Sequence, residues 1–197
     1  MNQSVDWEEQ WVLFAENFYD GKAHIDLKRY GGDKTLLLLP GPGFGDLSHP
    51  TTQLMLEMMQ DRVKGRSLLD VGSGSGILTL AAILLGAKEA HGVEIDPEAI
   101  VHAEKSRELN QLTTQVHFYL NAPPPDKKYD LALVNMIFPE QKIALNDNHR
   151  LAKEWISSGI LATQKQEYLK MAKTWGWTPT EERIKGEWMG WVFTTHP

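Results

Sequence analysis

A glycine-rich turn offers the clearest chemistry in this sequence. Residues 70–76 read Asp-Val-Gly-Ser-Gly-Ser-Gly, after an apolar run typical of a buried strand and before one typical of a helix. Glycine lets the backbone pass close to a ligand, and in an open parallel sheet ligands bind beyond the carboxyl ends of the strands. We therefore predict a ligand site at this turn, lined by Gly72, Ser73 and Gly74.

The spacing of these glycines distinguishes between two nucleotide cofactors. A dinucleotide fingerprint has the pattern G-x-G-x-x-G, whereas this turn has G-x-G-x-G and Ile77 stands where the third glycine would be. Asp70 lies two positions before the first glycine, where its carboxylate would repel a pyrophosphate but attract the cationic end of a sulfonium amino acid. The pattern favours S-adenosylmethionine, and an NAD-dependent oxidoreductase is the disfavoured alternative.

An acidic residue at the end of the next apolar run is the expected ribose ligand. Glu94 lies about 20 residues after the first glycine, where a carboxylate can accept hydrogen bonds from both ribose hydroxyls. Asp96 is the competing candidate, although Asp96 followed by Pro97 is also the pattern of a helix start. We predict ribose binding by Glu94 and keep Asp96 as the alternative.

Asn135 is the candidate residue at the reacting centre. It ends an apolar run over residues 131–135, which predicts a strand with the amide at the mouth of the site. Its carbonyl oxygen can accept a hydrogen bond from an incoming amine and aim the nitrogen lone pair at a methyl carbon. Methyl transfer depends mainly on positioning. That requirement agrees with a sequence that has no cysteine and no metal-ligand spacing among its 7 histidines.

These residues have to be held in place by alternating strands and helices. The alternation predicts crossover units and a parallel sheet with helices on both faces. Predicted strands cover residues 35–39, 67–71, 90–95, 116–120, 130–134, 160–163 and 188–194, and predicted helices cover residues 77–85, 97–110 and 165–175. We assign residues 35–197 to this domain and residues 1–34 to an extension, in which Trp7, Trp11 and Phe14 share one helical face.

Composition excludes several classes of protein. The length of 197 residues suits one domain, and 42% hydrophobic and 23% charged residues are typical of a globular chain. A net charge of −6 without a Lys/Arg block argues against general nucleic-acid binding. The amino terminus does not read as a signal peptide, and no apolar run is long enough to cross a membrane. We expect a cytoplasmic protein.

Four parts of the sequence resemble the PrmA-type enzymes, class I methyltransferases that act on the eleventh protein of the large ribosomal subunit. Residues 70–76 match the family's D-x-G-x-G-S-G, residues 92–97 resemble its G-V-D-I-D-P, and Asn135 matches the first residue of its N-I/L pair. Residues 42–52 resemble its F-G-T-G-x-H-x-T-T segment. The matching positions there are Phe44, Gly45, His49, Thr51 and Thr52, whereas Asp46 and Leu47 depart from the family's threonine and glycine.

The resemblance implies a Rossmann-like fold with a mostly parallel seven-stranded sheet, and S-adenosyl-L-methionine as the cofactor. The family carries an amino-terminal docking domain, and only a few dozen residues precede Phe44 here, so we expect the catalytic domain without that module. The residues implied to bind the cofactor are Phe44, Gly45, Thr52, Asp70, Gly72, Ser73, Gly74, Glu94 and Asn135, and Asn135 is also the expected catalytic residue.

The implied reaction is methyl transfer to an amine nitrogen of a protein, either a ribosomal protein or another lysine or amino-terminal substrate. Two alternatives stay open. The acceptor could be an amine of a small molecule or a nucleic acid, or the domain could bind the cofactor without catalysis. The presence of both Glu94 and Asn135 argues against the second alternative.

Overall fold

The computed structural model describes residue 12 and residues 17–43, 45, 48–146 and 148–195. The predicted aromatic face of Trp7, Trp11 and Phe14 lies outside these described residues. The described strands are β1 (Phe18–Tyr19), β2 (Lys22–Asp26), β3 (Thr35–Leu38), β4 (Ser67–Val71), β5 (Glu89–Glu94), β6 (Val116–Leu120), β7 (Tyr129–Asn135), β8 (Ala152–Leu161), β9 (Trp177–Lys185) and β10 (Trp188–Thr195). The described helices are α1 (Pro50–Met59), α2 (Ile77–Leu84), α3 (Pro97–Leu109), α4 (Phe138–Ala144) and α5 (Lys165–Thr174).

A seven-stranded sheet forms the frame of the fold. Its strand order is β6-β5-β4-β7-β8-β10-β9. The first five strands in this order run parallel to one another, and β10 runs antiparallel to both β8 and β9. The prediction of a mostly parallel, seven-stranded sheet is confirmed. Because β4 is central and the strand order changes direction there, the ends of β4, β5 and β7 form the crevice where such sheets bind ligands.

Apolar residues fill both faces of the central strands. In β4, Leu68 packs into the core on one face, together with α1 and α2, whereas its neighbour Leu69 packs into the core on the other. The same alternation separates Leu133 from Val134 in β7. Strands buried on both faces read as continuous apolar runs, which explains why β4 and β7 could be predicted from the sequence.

In the described part of the chain, no helix is both long and apolar enough to cross a membrane.

Two elements on the β8 side of the sheet differ from the sequence-based prediction. β8 begins at Ala152 rather than at residue 160, and α4 was not predicted at all. The start of β8 contains Lys153 and Glu154, and Glu154 accepts a hydrogen bond from the Arg66 guanidinium at 2.7 Å. Charged residues that are paired across the structure break the apolar pattern on which a strand prediction depends.

A small antiparallel sheet, β1-β2-β3, packs beside the main sheet. Ile25 of β2 and Leu36 of β3 are fully buried in the same core as α1 and α2. The Asn110 side chain ties β3 to the end of α3, because it accepts a hydrogen bond from the Leu37 N–H at 3.0 Å and donates one to the Leu37 carbonyl at 2.6 Å. The division of the chain at residue 34 stays a prediction, and β2 and β3 pair across it.

Asn110→Ala is expected to loosen this attachment. The substitution leaves the Leu37 N–H and carbonyl without their partner, and unpaired backbone groups of this kind cost about 1–3 kcal/mol. Urea unfolding should show a loss in the free energy of unfolding of that order. Thr114→Ala, at an exposed position in the loop that follows α3, is the control. A difference between the two variants of less than about 0.5 kcal/mol would contradict the assignment.

Candidate active site

A cavity of about 610 Å³ opens at the carboxyl ends of β4, β5 and β7. Gly72, Gly74, Glu94 and Asn135 line it, so the structure brings these four predicted residues together. Asp96 lines it as well. The position agrees with the rule that open α/β sheets bind ligands at this edge.

The turn between β4 and α2 follows a path that requires glycine. Gly72, Gly74 and Gly76 have φ values of 73°, 53° and 81°, in the left-handed region that side chains disfavour. A Cβ atom at residue 72 would also lie 2.6 Å from the Met136 sulfur. The turn therefore exposes backbone rather than side chains to the cavity, as predicted from the spacing.

The Glu94 carboxylate is held by backbone N–H groups on both of its oxygens. Oε2 accepts a hydrogen bond from Gly74 at 2.9 Å, and Oε1 accepts from Ile95 at 2.7 Å and from Asp96 at 3.1 Å. Glu94 thus connects the end of β5 to the glycine turn after β4. The Asp96 carboxylate accepts from the Glu98 N–H at 2.8 Å and caps α3, which is the structural role that its position before a proline indicated.

Asp70 lies beneath the glycine turn and is almost completely buried. Its Oδ2 accepts a hydrogen bond from the Thr79 hydroxyl at 2.6 Å, and its Oδ1 has no hydrogen-bond partner in the structure. Burial raises the pKa of Asp70 to about 7, the Thr79 hydroxyl opposes the shift, and the charge of Glu94 adds to it. A cation bound nearby would lower this pKa again, because it favours the ionised carboxylate.

Several predicted site residues contain a buried polar atom without a hydrogen-bond partner. Eight side chains in the described part of the chain contain such an atom, and four of them are predicted site residues: Asn135, which lines the cavity, and Thr52, Asp70 and Ser73, which are buried behind its wall. Buried polar groups in proteins nearly always have a hydrogen-bond partner. A cluster of exceptions fits a polar ligand that completes the site.

The loop after β3 packs directly on the glycine turn. A Cβ atom at residue 43 would lie 2.4 Å from backbone atoms of Gly74 and Ser75, and the Ser75 hydroxyl donates to the Gly45 carbonyl at 2.6 Å. Gly45 therefore supports the turn through its backbone. Phe44, the predicted cofactor contact beside it, lies outside the described residues.

Helix α1 forms another part of the wall. His49 caps this helix: its Nδ1 accepts a hydrogen bond from the Thr51 N–H at 3.3 Å, and Pro50 takes the first helical position. The His49 ring meets Trp188 edge to face at 5.0 Å, and both rings line the cavity. Thr52, predicted as a cofactor contact, is fully buried in α1.

Sequence reasoning missed an apolar rim around the cavity. Ile95, Ile137 and Ile143 line it with side chains that are 78%, 50% and 80% exposed. Ile137 immediately precedes α4 and Ile143 lies within it, and Pro139 in its first turn hid this helix in the sequence. Large exposed apolar side chains around a cavity are typical of a binding site.

The described residues contain no cluster of three or more His, Cys, Asp or Glu side chains that could hold a metal ion.

The family model and the curated relatives indicate one family. The family model for ribosomal protein L11 methyltransferase (PrmA) matches residues 5–196. A ribosomal protein L11 methyltransferase from Lactococcus lactis subsp. cremoris (strain MG1363) is 35% identical over 205 residues, which cover 96% of this chain and 64% of the relative. The protein of that name from Streptococcus pyogenes serotype M5 (strain Manfredo) is 29% identical, with 95% of this chain and 63% of the relative covered.

A solved structure shows the same likeness. The crystal structure of ribosomal protein L11 methylase from Lactobacillus delbrueckii subsp. bulgaricus superimposes with a TM-score of 0.72 at 28% identity, over 81% of this chain and 84% of that chain. The chain spans about 63–64% of the length of the two curated relatives.

Asp70→Asn is expected to change how the stability of the ligand-free protein depends on pH. The carboxyl ionises near its ordinary pKa of 3.8 in the unfolded chain, whereas in the folded protein its pKa is raised to about 7. Between these values the unfolded state binds fewer protons, so Asp70 makes wild-type stability fall as pH rises. The asparagine variant should therefore gain stability relative to the wild type from about pH 4 to about pH 7, and no more above that. Urea unfolding across this range measures the difference.

Asp130→Asn is the control, because the pKa of Asp130 is shifted in the opposite direction. The Ser67 N–H and hydroxyl donate to Asp130 at 3.0 and 2.9 Å and hold the pKa of Asp130 below its ordinary value. That contribution is present above the unfolded pKa and is lost only as pH falls through the folded value, so the difference from the wild type should be constant above about pH 5. Equal pH profiles for the two variants would contradict the burial argument.

Proposed function

Because the chain belongs to the ribosomal protein L11 methyltransferase (PrmA) family, we propose that it binds S-adenosylmethionine and transfers the methyl group to an amine nitrogen of a protein. The observation that supports this most directly is the juxtaposition of Glu94, the glycine turn and Asn135 around one cavity. The named relatives point to a ribosomal protein as the acceptor and, with it, to a cytoplasmic location.

The residues around the glycine turn fit the cofactor. S-adenosylmethionine supplies an electrophilic methyl carbon attached to a cationic sulfonium. Gly72 and Gly74 allow the backbone to approach it, and the unpartnered Oδ1 of Asp70 supplies negative charge beneath the turn. A buried carboxyl with a pKa near neutrality becomes fully ionised when a cation binds, so Asp70 favours a cationic ligand over a neutral one.

The acceptor capacity of Glu94 bears on ribose binding. A carboxylate has about four acceptor positions, and three backbone N–H groups already donate to Glu94. The remaining position, on Oε2, suits one ribose hydroxyl. The Asp96 carboxylate caps α3 through Oδ1, so its Oδ2 is the candidate acceptor for the second hydroxyl.

Asn135 is the residue we propose for orienting the acceptor. It ends β7 opposite Ser158 of β8, and its Oδ1 has no hydrogen-bond partner in the structure. A neutral amine can donate a hydrogen bond to that oxygen and direct its lone pair into the cavity. The apolar rim of Ile137 and Ile143 removes water from the amine, and desolvation lowers the pKa of an amine toward the neutral, nucleophilic form.

Glu94→Ala is expected to weaken cofactor binding more than Asp96→Ala. The first substitution removes a ribose acceptor and also the group that holds the Gly74 N–H, so a loss of at least about tenfold in affinity follows from one charge-assisted hydrogen bond. The second removes a helix cap, which costs about 0.5–2 kcal/mol of stability. Calorimetry with S-adenosylhomocysteine compares the two. Unchanged affinity in Glu94→Ala with a large loss in Asp96→Ala would reverse the ribose assignment.

Asn135→Ala is expected to slow methyl transfer without weakening cofactor binding. A hydrogen bond made mainly in the transition state is worth about ten- to several-hundredfold in rate. The assay is a single turnover with methyl-labelled S-adenosylmethionine and purified ribosomal protein L11, beside measurements of cofactor affinity and melting temperature. If Asn135 only ends a strand, melting temperature, affinity and rate should fall together. An unchanged rate in the folded, cofactor-bound variant removes Asn135 from the reaction.

The wild-type protein in the same assay tests the proposed function itself. Label should appear in ribosomal protein L11. Cofactor at a hundred times its dissociation constant should also stabilise the fold by about 2.7 kcal/mol, whereas NAD should not. Stabilisation by S-adenosylmethionine without transfer to L11 or to total ribosomal protein would support a module that binds the cofactor without catalysis. Stabilisation by NAD alone would overturn the proposal.

A further inference from the structure

Gln141 of α4 is a fully buried amide with every hydrogen-bonding position in use. Its Nε2 donates to the Met136 carbonyl at 2.8 Å and to the Ser158 carbonyl at 2.7 Å. Its Oε1 accepts from the Ser157 hydroxyl at 3.1 Å and from the Tyr168 hydroxyl at 2.7 Å. Backbone carbonyls only accept, so they fix which end of the amide faces them.

The two carbonyls that Gln141 holds belong to the segment around Asn135. Met136 is the next residue in the chain, and Ser158 is the residue of β8 that pairs with Asn135. Met136 is also confined on two further sides: a Cβ atom at residue 72 would lie 2.6 Å from its sulfur, and one at residue 159 would lie 2.2 Å from its carbonyl oxygen. Gln141, Gly72 and Gly159 thus enclose Met136 closely, and we call this environment the Met136 seat.

The other half of the network anchors this seat to α5. Tyr168 is fully buried, its ring stacks on Trp191 at 5.1 Å, and burial raises the pKa of its hydroxyl. The hydroxyl therefore stays protonated and continues to donate. Gln141 connects the end of β7 to a helix that does not itself line the cavity.

The network contributes to stability as well as to geometry. An apolar side chain at residue 141 would leave the Met136 and Ser158 carbonyls without this donor, and an unpaired buried polar group destabilises the fold. The network also selects a single arrangement of its members, since the geometry of each hydrogen bond is fixed. The member nearest the proposed chemistry is the carbonyl of Met136, the residue that follows Asn135.

We infer that Gln141 is a positioning residue for methyl transfer, which acts by holding the Met136 carbonyl so that the Asn135 amide faces the acceptor nitrogen. This inference rests on the proposed function. Gln141 itself does not touch the cofactor or the acceptor. Its expected effect is on the rate of the chemical step, because a displacement of about 1 Å in a reacting geometry can cost about a hundredfold in rate.

The test compares Gln141→Leu with Tyr168→Phe. Both variants lose hydrogen bonds of the same buried network, but only the first releases the Met136 carbonyl. Gln141→Leu should lower the single-turnover rate at saturating S-adenosylmethionine by about ten- to a hundredfold. Tyr168→Phe should keep a rate close to that of the wild type, and both should retain cofactor affinity. Equal rates in the two variants at similar melting temperatures would overturn the inference.

A measurement that needs no methyl transfer separates this inference from the proposed function. With ¹³C-methyl methionine labelling, the Met136 signal, assigned by its loss in Met136→Leu, should shift and broaden in Gln141→Leu and stay unchanged in Tyr168→Phe. An unchanged Met136 signal in both variants overturns the positioning role. A wild-type protein that transfers no methyl group but shows this pattern instead contradicts the proposed function while the Met136 seat stands.

Gln141→Glu provides a second variant in case Gln141→Leu does not fold. A protonated carboxyl can still donate one hydrogen bond to the Met136 carbonyl, whereas an ionised one cannot. Its rate relative to the wild type should therefore rise as pH falls. Protonation of the acceptor amine slows both proteins alike and cancels in this ratio. A ratio that does not change with pH overturns the inference.

Discussion

The hydrogen bond from the Gly74 N–H to the Glu94 carboxylate joins the ends of two neighbouring strands, and the cavity depends on it. The glycine turn has no side chains at its three left-handed positions, and backbone hydrogen bonds such as the one from the Gly76 N–H to the Ser73 carbonyl shape it. Glu94 adds a side-chain constraint from the neighbouring strand, while its other oxygen is held by the N–H groups of the two residues that follow it. The carboxylate that we propose as a ribose ligand thereby also supports the glycine turn.

Asp70 shows what the burial of a carboxyl beneath the turn costs in hydration. A carboxyl that is 1% exposed and bonded through one oxygen only loses most of its hydration. The pKa of Asp70 is raised mainly because of that loss of hydration. Strongly perturbed titratable groups are more frequent at functional sites than elsewhere, and here the perturbation lies directly beneath the turn that carries the family's glycine pattern.

The elements around the glycine turn could be predicted from the sequence because they are encoded locally. Strand, turn and helix are contiguous in residues 67–84, and Glu94 and Asn135 each end an apolar run whose parallel pairing is standard for this fold. The opposite side of the site was not predictable in the same way. α4 is short and contains Pro139, and near the start of β8 the charged Glu154 pairs with Arg66. Gln141 reads as a surface residue until its four partners are known. Each of these depends on contacts between segments far apart in the chain.

The same difference separates the two parts of the proposed site. The part proposed to bind the cofactor depends mainly on residues that are close in sequence, whereas the part proposed to receive the amine depends on contacts between distant segments. The part proposed to bind the cofactor consists mainly of the backbone of the glycine turn and the Glu94 carboxylate, and the left-handed glycines leave little room for variation in the turn. The part proposed to receive the amine is built on the Asn135–Met136 segment, which Gln141 of α4 holds through the Met136 and Ser158 carbonyls. Because positioning can supply a large part of the barrier reduction in a methyl transfer, we expect the two hydrogen bonds that Gln141 donates behind Asn135 to set the transfer rate together with the residues that line the cavity.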